Sequence, residues 1–204
     1  MLDAAFSMKR KEFKIPLFIR KKYKVIGRKI MNKDIATIVP ENHDSALHII
    51  YLHGGAYITQ GSIIHWFLIK KILDSVKCKV TYLDYPLAPE ANYKDTFSMI
   101  SSAYSQITNK YPNDRFVFAG DSAGGGLALA FAQSIVKAKK LISPSGLILL
   151  SPWLDLSMKN KEIKNYENKD VILSSKSLIK AAKMYSGGDN LDSDLSPNQE
   201  YPCL

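Results

Sequence analysis

Cysteine is scarce here: Cys78 and Cys203 are the only two among 204 residues, and their separation fits neither a metal-ligand nor a redox motif. That excludes a disulfide scaffold and points to a reducing compartment. Long apolar runs are missing as well, and nothing approaches the ~20 residues a membrane span needs. Met1 to Arg10 has charges but no apolar run behind them, which argues against a signal peptide. A cytoplasmic location is therefore expected. No internal repeat or low-complexity stretch is present. The glycine-rich stretch at 120–126 is not followed by Gly-Lys-Ser/Thr, so it is not a phosphate loop. No metal or cofactor is expected.

Charge is unbalanced. The formal net charge is +9, and much of it lies early, in residues such as Lys9, Arg10, Lys11, Lys21, Lys22 and Lys24. Residues 1–33 therefore read as a basic N-terminal segment, a cap or a surface. No nucleic-acid module surrounds them, and a solvated basic face is the commoner meaning of such a run, so no nucleic-acid partner is expected. With 46% hydrophobic residues the chain can bury a core, and a single domain is the default.

Short apolar runs alternate with helical stretches, the pattern of an α/β fold with a mostly parallel sheet. Residues 1 to about 20 read as helical or irregular, with Pro16 as a breaker. Lys22 to Met31 and Ile35 to Pro40 suit antiparallel strands, followed by a strand from Ala46 to Leu52. Ile63 to Val76 has helical spacing, Lys79 to Leu83 is a strand, and Thr96 to Tyr111 is a helix. Gly146 to Leu150 is apolar on both faces, which suits the inside of a sheet. Lys176 to Tyr185 is a short helix, and Asp189 to Leu204 a polar tail.

The chain is organised around Phe116 to Gly126. An apolar strand runs directly into Gly120-Asp121-Ser122-Ala123-Gly124, and Leu127 to Ala132 continues as a helix. A Ser between two glycines at this spacing is the nucleophile elbow, a tight turn from strand to helix. The glycines are needed because a Cβ would clash with the neighbouring strand and helix. The helix N-terminus directs N–H groups and positive dipole at an oxyanion formed there. His53-Gly54-Gly55-Ala56 follows the strand expected beside the elbow. Alone it reads as an ordinary strand-end turn; beside an elbow, its amides become candidate oxyanion donors. The expected donors are the amides of Gly54, Gly55 and Ala123. His53 is expected to fix the loop, with Gly120, Asp121 and Gly124 supporting the motif.

Three blocks then resemble the hormone-sensitive-lipase-like branch of the α/β-hydrolases, the bacterial esterases with an HGG motif. They are His53-Gly54-Gly55-Ala56-Tyr57, Tyr85-Pro86-Leu87-Ala88-Pro89-Glu90 and Gly120-Asp121-Ser122-Ala123-Gly124-Gly125. Pro86 stands where that family has Arg. Ser151-Pro152-Trp153 and Asp194-Leu195-Ser196-Pro197 resemble two further signatures. The resemblance covers about Ile35 to the C-terminus. It implies an α/β-hydrolase fold and a carboxylic ester hydrolase acting on small or medium acyl esters through a Ser-His-Asp triad, with Ser122 as nucleophile.

That family order is Ser, then acid, then His. Here His43, His48, His53 and His65 all precede Ser122. Asp155, just after a strand, and Asp194 are two of the carboxylates that follow it, and Asp155 reads better as a fixer of the Ser-Pro-Trp loop. A Ser without a base is a poor nucleophile, and losing the His costs about a millionfold in a subtilisin-type site. The expectation is an incomplete hydrolase domain over 1–204, lacking the C-terminal strands and helices and the acid and base they carry. Its sheet edge at Gly146 to Leu150 would then be open to self-association or a homodimer. The alternatives are a non-catalytic small-molecule-binding relative, or a basic N-terminus that binds an acidic partner.

Overall fold

The computed structural model describes residues 10–41, 45–167 and 169–188. The elements in chain order are α1 (Leu17–Arg20), β1 (Lys24–Ile30), β2 (Lys33–Val39), β3 (Leu47–Leu52) and α2 (Ile63–Val76). Next come β4 (Lys79–Leu83), α3 (Tyr93–Lys110), β5 (Arg115–Asp121), α4 (Ser122–Ala138), β6 (Gly146–Leu150), a 3-10 turn (Lys161–Asn165) and α5 (Ser175–Ser186). His43, Cys203, the Asp194–Pro197 stretch and the tail from 189 lie outside the described residues.

The six strands form one sheet in the order β1-β2-β4-β3-β5-β6. The first pairing is a hairpin whose two-residue turn, Met31-Asn32, has both φ angles positive (49° and 61°), the turn geometry that matches strand twist. β2 joins β4 antiparallel, and β4, β3, β5 and β6 run parallel. The sheet is thus mostly parallel, with the antiparallel pairings confined to the β1–β2 side. β6 pairs with β5 alone among the described residues, so this run, apolar on both faces, lies at an edge. Leu147, Ile148 and Leu150 are exposed there.

Alternate strand residues feed two cores, because successive side chains leave a strand on opposite faces. Ile50, Leu52, Phe116 and Phe118 meet Met99, Tyr104, Leu127 and Phe131 from α3 and α4, and α5 packs on the same side. Ile49, Tyr51, Val80 and Tyr82 meet Trp66, Ile69 and Leu73 from α2 on the other face, with Ile19 from α1. Burial on both faces is why the strands read as continuous apolar runs. Local chemistry sets the helix starts. The Asn92 side chain accepts from the Lys94 amide, while the Asp95 carboxylate accepts from the Asn92 amide, a reciprocal cap that begins α3 at Tyr93.

One register positions the site. Leu52 of β3 pairs with Gly120 of β5, so the two strands end level. The segments that follow, starting at His53 and Asp121, emerge side by side.

Candidate active site

β5 passes into α4 with no linker, and Ser122 sits at the junction with φ of +49°. A non-glycine residue there carries strain of about 1–3 kcal/mol, which the surroundings must enforce. The enforcing contacts are tight. A Cβ on Gly124 would lie 2.1 Å from the Leu52 carbonyl oxygen and 2.5 Å from that of His53. A Cβ on Gly120 would lie 2.4 Å from the Gly124 carbonyl oxygen. The Ser122 carbonyl accepts from the Trp153 amide at 2.8 Å, which ties the turn to the segment after β6.

Asp121, the residue before the Ser, anchors the neighbouring loop. Its carboxylate accepts from the Tyr51 hydroxyl at 2.7 Å, the Gly54 amide at 3.0 Å and His65 Nε2 at 3.2 Å. Burial pushes this carboxyl up, but the hydrogen bonds from His65, Tyr51 and Gly54 outweigh it and hold it below the usual carboxylate range. The His65 tautomer follows from its other contact. Nδ1 accepts from the Ser62 amide at 2.7 Å, so the proton is on Nε2 and is donated to Asp121.

Of the expected donors, the Gly54 N–H is bonded to the Asp121 carboxylate. The loop then coils through positive φ at Gly55 (123°), Ala56 (51°) and Tyr57 (62°). The Gly55 carbonyl accepts from the amides of Ile58 and Thr59 and from the Thr59 hydroxyl. Among the described residues, the amides of Gly55, Ala56 and Ala123 have no acceptor.

His53 is fully buried. Its Nδ1 donates to the Gly54 carbonyl at 2.7 Å, and its ring stacks on Tyr85 with centroids 4.4 Å apart. Burial pushes it down to about 4, so it is neutral at pH 7. Tyr57 stacks on Tyr185 of α5 at 3.9 Å, and the Arg10 guanidinium binds the carbonyls of Ile58 and Ala88 and pairs with Glu90 at 2.7 Å. Arg10 thus supplies a guanidinium to the loop in which Pro86 stands. A cavity of about 800 Å³ lies beyond the loop, against Phe13, Trp66 and Asp84, and Ser122 does not line it.

The remaining candidates are elsewhere. His48 contacts Asp114 at 3.0 Å and Thr81 Oγ1 at 2.7 Å, an acid, imidazole and hydroxyl in line, but all enclosed. It pairs with Phe116, six residues before Ser122, so about 20 Å of strand separates them. Asp155 accepts from the Ser157 amide and hydroxyl and from the Lys159 amide, holding the turn after Trp153. No histidine nitrogen is bonded to Ser122 among the described residues. The sequence marks Asp121 only as motif support and gives no site role to Tyr51, His65 or Arg10. Of these, only His65 carries a usable signal, three residues after the helix-capping Ser62.

Comparison with known proteins agrees with this architecture. The family model described as the alpha/beta hydrolase fold matches residues 49–200, and the chain belongs to that family. It is related within it to the bacterial hormone-sensitive-lipase-like esterases. An esterase of Acinetobacter venetianus is 33% identical over 143 residues, 69% of this chain and 46% of that protein. The structure of a Staphylococcus aureus protein described as a putative esterase superposes with a TM-score of 0.82 at 31% identity, covering 92% of this chain and 63% of that one. The hormone-sensitive-lipase homologue EstE7 from a metagenome library gives 0.78 at 25% identity, with 97% and 65% covered. The chain spans about half the length of the curated relatives it matches.

Proposed function

We propose that this chain carries the nucleophile side of a serine carboxylic-ester hydrolase site. Ser122 is the nucleophile, and the amides of Gly55, Ala56 and Ala123 are the oxyanion donors. The observation that carries the reading is the strained Ser122, held at φ +49° at a helix N-terminus, with the preceding Asp121 bonded to the amide of Gly54 in the neighbouring loop. Attack of Ser122 Oγ on the acyl carbonyl moves negative charge onto the carbonyl oxygen, which the amides stabilise by about 3 kcal/mol per donor in comparable sites. Asp121 and His65 position the donor loop by holding Gly54. The Oγ proton needs a base, and among the described residues neither His53, whose Nδ1 donates to Gly54 while its Nε2 is buried without a partner, nor His65, held by Ser62 and Asp121, is bonded to Ser122. The sequence has no histidine after His65. The substrate is a small acyl ester by the relationship to esterases.

That no base is bonded to Ser122 among the described residues favours a second reading, a relative that binds esters or acyl groups without turnover. Hydrolysis of nitrophenyl acetate by purified chain and by Ser122→Ala separates the two ideas from a third, an intact enzyme. Rates barely above background for both, with slow labelling of Ser122 by a fluorophosphonate, are expected when the base is not in this chain. Ordinary turnover abolished by Ser122→Ala would mean that one of the chain's own groups serves as base. Absence of any labelling at Ser122 over long incubation would remove the nucleophile assignment.

A further inference from the structure

We infer that the apolar loop Val171–Leu173 and the lysine face of α5 together form a peripheral docking surface for an anionic lipid bilayer. Val171 is 91% exposed, Ile172 58% and Leu173 36%, three consecutive apolar side chains in water. The loop that presents them has a fixed shape. Asp170 Oδ1 accepts from the amides of both Ile172 and Leu173 at 2.8 Å, and Glu167 accepts from the Ser175 amide at 3.1 Å. The apolar groups are therefore held outward while the carboxylates of Asp170 and Glu167 are engaged by backbone.

α5 starts directly after this loop, capped by Ser174. Its inner face buries Leu178, Ala181, Ala182 and Tyr185. Its outer face carries Lys176, Lys180 and Lys183 around a shallow hollow with Ile179 and Met184. Those positions recur at helical spacing, so the three lysines lie along one stripe about 10 Å long. Across the loop, the Lys169 ammonium sits 5.4 Å from the ring of Tyr166, itself 62% exposed. Residues 158–183 hold seven lysines against three carboxylates.

An exposed apolar tip beside a basic helix face matches the requirements of a charged lipid interface. The tip enters the boundary between headgroups and acyl chains while the lysines meet anionic headgroups. A nucleic acid would use the lysines but leave Val171 and Ile172 in water. A second copy would bring like charges together. No helix among the described residues is long and apolar enough to cross a membrane.

The test is sedimentation of the purified chain with phosphatidylcholine vesicles, with and without phosphatidylglycerol, at low and high salt. Binding is expected only with phosphatidylglycerol, and it should weaken as salt rises. Lys176→Gln with Lys180→Gln should weaken it roughly 25-fold, about five-fold per lysine. The same charge change at Lys24 and Lys29 on β1 should leave it unaltered. Val171→Trp alters a side chain 91% exposed, so packing is spared. Its emission, taken as the difference from the wild-type signal of Trp66 and Trp153, should shift to the blue on adding phosphatidylglycerol vesicles. Several outcomes overturn the inference: binding indifferent to phosphatidylglycerol, equal loss from the β1 pair, or unshifted emission from the Val171→Trp variant. Binding to DNA that survives Ile172→Asp, without vesicle binding, would assign the surface to nucleic acid instead. A dimer abolished by Ile172→Asp, again without vesicle binding, would assign it to self-association.

Discussion

The carboxylate of Asp121 and the amide of Gly54 meet at 3.0 Å across 67 residues of sequence, and this bond joins the turn bearing Ser122 to the loop beside it. The approach is close enough that a Cβ on Gly54 would fall 2.2 Å from the Asp121 carboxylate. One carboxylate also holds Tyr51 and His65, so a single side chain organises three elements. Asp121→Ala removes the shared acceptor and leaves their donors unmatched. A loss of about 1.5–3 kcal/mol is expected from urea denaturation, the range for hydrogen bonds to charged groups. Wild-type stability in the variant would show that the loop is held by other contacts.

Acid should weaken the fold, and the signs agree for three groups. His48 and His53 are both pushed down to about 4 by burial, so the unfolded chain binds their protons first as pH falls below about 6.5. Their contribution is whole above about 6.5 and declines through the interval down to about 4, by roughly 3 kcal/mol each. Asp121, held below its ordinary range, contributes fully above about 4 and loses that contribution only at lower pH. Asp84, which burial pushes up to about 6, works the other way by roughly 3 kcal/mol between about pH 4 and 6. Urea midpoints measured across pH 4 to 7 should therefore rise with pH, by less than the two imidazoles alone would give. A flat profile would contradict the buried neutral state of both imidazoles.

Strain at the elbow predicts opposite effects for two neighbouring substitutions. Ser122→Gly relaxes the positive φ and should raise stability by about 1 kcal/mol, at the low end of the range for such strain. Gly124→Ala drives a methyl into the carbonyls of Leu52 and His53, which are backbone and cannot swing aside, so a loss above about 4 kcal/mol is expected. Gly27→Ala is the control: nothing lies within 4 Å of its added Cβ. Thermal melts that rank the three variants otherwise would contradict this account of the turn.

The outer strand predicts association behaviour. Among the described residues β6 is paired on one side only and exposes Leu147, Ile148 and Leu150. Unpaired apolar edges template contact between chains, and a lysine on the edge blunts them. Ile148→Lys should lower the concentration-dependent mass seen by light scattering. If the wild-type chain stays monomeric at high concentration, the edge is not a site of self-contact.

The sequence by itself determined the elements and the elbow. The apolar run Phe116 to Ala119, the glycines at 120 and 124, and the helical spacing beyond them are local signals, since a strand, a tight turn and a helix each depend on neighbours in the chain. Hence Ser122 is legible as the residue at the turn, and Asp155 as a loop fixer. Gly54 reads as a free donor in sequence, yet its amide is claimed by a carboxylate that reaches it only once β3 and β5 pair with Leu52 opposite Gly120. The His65 tautomer and the Arg10 contact with Glu90 have the same origin, partners 56 and 80 residues away. Chain order dictates which backbone shapes are available, but which donors remain free is decided by strand register. Only the assembled sheet shows that Asp121 uses the amide of Gly54, while among the described residues those of Gly55 and Ala56 have no acceptor.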